Sequence, residues 1–363
     1  MPNTVFEQRV RAAWRARAAA AGLSCGAMIF CAGAGIAVPV SLNAAALSAL
    51  SALALSALVA IRAQRILRRP VEKTGALPRV LFAILSLTLA LSCTYIAAAQ
   101  VNLAERTLLT QARVGWISAV TLAGVGFLAL SGGTALSRAC FSVRRVLPVL
   151  LVLLGAKALK RGKLVGLFPV LGAGAGPLAL SSLCMLCAAA PVLLLLCPSD
   201  EEDGGSALVP PARFFVLRVL VGGGVGAILL LSLVLCNTYD TLIFRTNWGE
   251  RMMVTCAHEP RLGVLQMALI LTQMLGLVLA SASLLCGAER AAAKAAQRPG
   301  KNQKASRWPF FGCFGLTLVA LFSMQQIGYN RALYVAPALI APVLLLLLLG
   351  GGLRAKKKEE IAK

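Results

Sequence analysis

Apolar residues in this chain do not alternate with polar ones. They run in blocks of about twenty, parted by short polar or basic stretches. The blocks lie near 18–40, 43–61, 80–99, 114–131, 139–156, 166–197, 216–236, 262–286, 308–326 and 333–353. Each is long enough to cross a bilayer as a helix, so the pattern predicts an all-α polytopic membrane protein with ten transmembrane helices. The block at 139–156 is the weakest, because only Val146–Ala156 is free of charge between Arg144, Arg145 and Lys157.

Two blocks carry the same interruption. "AGAGIAVP" occupies Ala32–Pro39 in span one, and its first four letters return 141 positions later, at Ala173–Gly176, within the "GAGAGP" of Gly172–Pro177 in span six. Glycine and proline are poor residues inside a helix. Counted in fives, the strings fall in the first span of each half, and an odd number of crossings per half gives the halves opposite orientation. The expectation is two inverted five-helix repeats, 18–156 and 166–353, with the first and sixth helices broken, flanked by basic cytoplasmic tails in one transmembrane domain. An unwound segment frees backbone N–H and C=O groups, which a bound ligand can satisfy. The competing reading is that small residues let helices pack closely.

Composition agrees with the pattern. Of 363 residues, 59% are hydrophobic and 13% charged, and mean hydropathy is +0.82. The first apolar block is too long for a cleaved secretory signal and is expected to remain as a span. The net charge of +23 points to topology and attraction to anionic lipid, not to nucleic acid. With ten spans and both termini cytoplasmic, 26 of 36 Lys and Arg lie inside; removing the fifth span leaves 21 inside. The positive-inside rule therefore favours ten spans.

All 13 acids and His258 are expected outside the span cores, which argues against a buried carboxylate relay. No Cys/His, Ser/His or paired-carboxylate arrangement sits at membrane depth, so the reading is a non-enzyme without cofactor or metal. Cys184 and Cys187 form a C-x-x-C inside an apolar run and read as packing residues. Polar groups at depth are few: Thr94 and Tyr95 in span three, Ser181 and Ser182 in span six, Gln266, Thr272 and Gln273 in span eight. Tyr95 also fits an interfacial anchor, and Gln273 an interhelical hydrogen bond.

The segment Lys163–Pro198 resembles the sixth helix of the spore germinant receptor B-subunit family, through Phe168, Pro169, Gly172, Gly174 and Pro198. That family belongs to the amino acid–polyamine–organocation transporter superfamily. The resemblance implies that the third and eighth helices face the broken first and sixth. A small nutrient, an amino acid foremost, would then lie against Gly33, Ala34, Gly35, Gly172, Gly174, Gly176 and Ser181, with Tyr95 and Gln273 as hydrogen-bonding side chains. It further implies germinant receptor subunits as partners, in a bacterial cytoplasmic or spore inner membrane. An amino acid permease and a structural membrane protein without a ligand remain open alternatives.

Overall fold

The computed structural model describes residues 2–68, 76–107, 113–131, 173–197, 209–236, 263–296, 307–327 and 335–349, with isolated positions between 136 and 149. Most of the predicted fifth span, the 198–206 linker, the 237–261 loop with Asp240 and His258, and Phe168, Pro169 and Gly172 lie outside the described residues.

Span one begins as α1 (Pro2–Ala32), passes through a π-helical turn (Gly33–Ala37) and ends as α2 (Val38–Ser41). A 3-10 turn (Leu42–Ala44) leads into α3 (Ala45–Leu67). There follow α4 (Ala76–Thr107), α5 (Val114–Leu130), α6 (Ala175–Met185) with a 3-10 extension (Leu186–Leu196), α7 (Ala212–Cys236), α8 (Gly263–Ala296), α9 (Trp308–Ile327) and α10 (Val335–Leu349). Five runs are long and apolar enough to cross a membrane, and the first, Val10–Leu67, is two spans folded back at Leu42. With three shorter apolar helices, the described residues hold nine of the ten predicted spans. The chain is an all-α polytopic membrane protein.

The interior is built from small and aliphatic side chains. α4 packs along α8 in antiparallel sense: Ser86 Oγ donates to the Ala288 carbonyl at 2.8 Å, and Val101 and Ala104 at the other end meet Met274. Buried hydroxyls bond one turn back along their own helices, as Thr94 to Ala90 and Ser283 to Leu279. This removes the cost of a hydroxyl where no water is present. Trp116, Val120, Phe127, Trp308 and Val319 are exposed and form part of an apolar outer face suited to lipid.

α1 and α7 cross backbone to backbone. A side chain on Gly26 would strike the Gly222 carbonyl; one on Gly222 the Gly22 carbonyl; one on Gly226 the Gly26 carbonyl. The register rises together in both helices, so they run parallel. G-x-x-x-G spacing in each places the glycines on one face, where two backbones approach closely.

Two departures from α geometry follow from sequence. Pro191 clashes with the carbonyl four residues back in an α-helix, and the chain around it is wound as a 3-10 helix of 11 residues, buried from Cys187 to Leu196. Leu42 adopts φ 54°, ψ −124°, a region that favours glycine. Its side chain is buried in the core, which offsets the strain. Leu42→Ala keeps the strain and loses the burial, costing about 2–4 kcal/mol. Leu42→Gly loses the burial but relieves about 1–3 kcal/mol of strain. In thermal unfolding the glycine variant is expected to melt above the alanine variant.

Candidate functional site

The first glycine string is wound. From Ala32 (φ −68°) to Val38 (φ −63°) the backbone stays right-handed, and the Val38 N–H donates to the Gly33 carbonyl five residues back. Gly33, Ala34 and Gly35 are all buried. The expectation of an unwound segment is thus corrected: the α ladder is interrupted by widening to a π turn, which keeps this backbone pair bonded. Such turns recur at functional sites. A side chain on Gly33 would meet Leu230 of α7, so this glycine serves close packing.

The second string straddles a helix start, not a helix middle. Gly174 has φ 121° and ψ 174° and precedes the first residue of α6; its carbonyl accepts from the Leu178 N–H at 3.1 Å. Gly172 lies outside the described residues. Among the described residues nothing lies within 4 Å of where a side chain on Gly176 would begin, and at Gly174 Pro177 at 3.9 Å alone would be touched. Among the described residues this stretch is uncrowded where the first is closely packed.

The fold brings the two strings together. α6 packs against both the π turn and α2, and against α3. Ser48 and Ser181 share a hydrogen bond of 2.6 Å, and Ser51 Oγ donates to the Ser182 carbonyl at 3.0 Å. Ser181 is therefore occupied in holding α6 to α3. Tyr95 is 1% exposed within the main core, so it is not an interfacial anchor.

Gln273 lies elsewhere. It is 5% exposed, and neither its Oε1 nor its Nε2 has a partner among the described residues. It lines a partly open cavity of about 80 Å³ between α1, α7 and α8, beside Gly26, Phe30, Gly226 and Leu229. That is room for several waters. Of the predicted ligand residues, Gln273 alone lines it. The sequence reading missed Gln100, 4% exposed on α4 with an unpartnered carbonyl oxygen. Its carboxamide inside an apolar block was the available signal. Among the described residues no cluster of three His, Cys, Asp or Glu could hold a metal ion, and Cys184 and Cys187 are free thiols.

No family model and no curated protein matches the chain. Solved structures do. A manganese transporter of Eremococcus coleocola, in complex with an aromatic bis-isothiourea substituted compound, superposes with a TM-score of 0.54 at 12% identity, over 95% of this chain and 82% of the transporter. A mutant of that transporter gives 0.51 over the same shares at 12% identity. Mhp1, a nucleobase-cation-symport-1 family transporter in a closed conformation with bromovinylhydantoin bound, gives 0.48 at 15% identity, over 93% and 76%. The chain has the fold of the manganese transporter; at this identity the likeness is one of fold.

Proposed function

We propose that this transporter-fold membrane protein binds a small nutrient, an amino acid foremost, where spans one and six meet, and that it acts as a spore germinant receptor B subunit with partner subunits in a bacterial cytoplasmic or spore inner membrane. The observation that carries this reading is the packing of the π turn at Gly33–Ala37 against α6, which joins two identical strings 141 residues apart. In this reading the chain is one transmembrane domain of two inverted repeats, 18–156 and 166–353. Backbone around Gly172, Gly174 and Gly176 at the start of α6 receives the ligand's carboxylate, near Ser181, and the wound turn at Gly33, Ala34 and Gly35 forms the packed wall beside it. Tyr95 supplies one side-chain hydrogen bond, and Gln273 a second from the separate cavity that reaches Phe30, one turn before Gly33. A permease is the second reading, supported by the partly open cavity that runs beside span one.

Thermal unfolding of the purified full chain with each of the twenty proteinogenic amino acids tests this. At about 100 times Kd, a ligand adds about 2.7 kcal/mol and a shift of several degrees. At least one amino acid should shift the wild type, and Gly174→Ala should abolish that shift. No shift from any of the twenty would overturn the reading. Counterflow uptake of the responding amino acid into proteoliposomes then separates permease from receptor.

A further inference from the structure

We propose that the groove between α1, α7 and α8 holds one acyl chain of an anionic phospholipid from the cytoplasmic leaflet, with the lipid phosphate on Arg218. The groove follows α1 from Ala19 to Phe30, about 16 Å at helical rise. That matches one leaflet, about half of the ~30 Å hydrocarbon core. Its walls are apolar, and the glycines of the α1–α7 crossing leave the floor without side chains. Leu23, Ala27, Val221 and Val225 line it and remain partly exposed, so it opens to the outside of the described bundle.

Polar groups lie only at the two ends. Thr272 and the unpartnered, buried Gln273 close the groove near the bilayer midplane. Arg218 stands at the other end, six residues into α7. Its Nε is buried without a hydrogen-bond partner, and its guanidinium lies 5.4 Å from the Phe214 ring. The neighbouring ends of α1 and α7 carry Arg11, Arg15, Arg17 and Arg213 against one described acid on those helices, Glu7, which pairs with Arg11 at 3.2 Å. Among the described residues no carboxylate pairs with Arg218, and a guanidinium fork so placed matches a phosphate. Positive charge at the inner ends of the spans places this end in the cytoplasmic leaflet. The far end of the groove shares Gln273 with the proposed nutrient site, but the phosphate contact on Arg218 does not rest on that reading.

Native mass spectrometry of the full chain, exchanged into equal palmitoyl-oleoyl phosphatidylglycerol and phosphatidylcholine, reads the occupant directly. Wild type should retain phosphatidylglycerol about fivefold over phosphatidylcholine, as one arginine near the surface provides. Arg218→Gln should bring the ratio to parity, and Arg218→Lys should keep part of it. Ala27→Phe fills the groove from its exposed side and should lose both lipids with helicity unchanged. Equal retention of both lipids by wild type, or an unchanged ratio in Arg218→Gln, overturns the proposal. So does absence of any retained lipid, the result expected if residues 139–156 of this chain cover the groove.

Discussion

Gly222→Val is expected to abolish the folded protein. A side chain there meets the carbonyl, carbonyl carbon and Cα of Gly22, all backbone atoms that cannot turn aside. Relief requires α1 and α7 to separate, and that also breaks the contacts of Gly26 and Gly226 on the same face. The cost should reach or exceed about 3 kcal/mol, the upper end for overpacking. It would appear as loss of the monodisperse peak in size exclusion. Gly124→Val on α5 is the control, since no described atom lies within 4 Å of its position, and it should change stability by less than about 0.5 kcal/mol. Gly126→Val on the same helix meets the Phe314 ring, which can shift, so it should fall between the two. Equal losses from Gly124→Val and Gly222→Val would refute the crossing as the cause.

Gln273→Leu is expected to move stability and ligand response in opposite directions. Its carboxamide is buried in an apolar cavity with donor and acceptor both unpartnered among the described residues. Leaving such a group unsatisfied costs about 1–3 kcal/mol. Leucine has a similar volume and no polar atom, so the ligand-free variant should melt higher than wild type. Amino-acid affinity should weaken about tenfold, the effect of losing a hydrogen bond worth about 1.4 kcal/mol, so the shift at about 100 times the wild-type Kd should fall to about half. A lower melting point would mean that the amide is satisfied in the resting protein, and its role as a ligand group would fall.

What was legible in the sequence was mainly what hydropathy and charge encode. Block length placed the spans because the bilayer demands some twenty apolar residues, whatever their order. The glycine strings were visible as interruptions, but their geometry was not. A glycine has no side chain to report on periodicity, so α, π and unwound chain look alike at Gly33–Gly35. The same limit hid the α1–α7 crossing. Gly22, Gly26, Gly222 and Gly226 sit at G-x-x-x-G spacing, yet that spacing names a partner only once the topology sets two spans side by side. Gln273 was found by its polarity. Its cavity was not, because the walls come from three helices distant in sequence.

Span six is longer than it needs to be. At about 2.0 Å per residue, its 3-10 stretch of 11 residues measures about 22 Å, against about 16 Å for the same residues as an α-helix. With α6 ahead of it, the span reaches about 38 Å across a core of about 30 Å. Rewinding the stretch as an α-helix would draw its ends together by about 5 Å, one helical turn, and absorb most of the surplus. No residue from Cys187 to Leu196 would need to gain polarity for that movement. Pro191 opposes it, because proline inside an α-helix costs about 3 kcal/mol. The span is held extended, and shortening it is work.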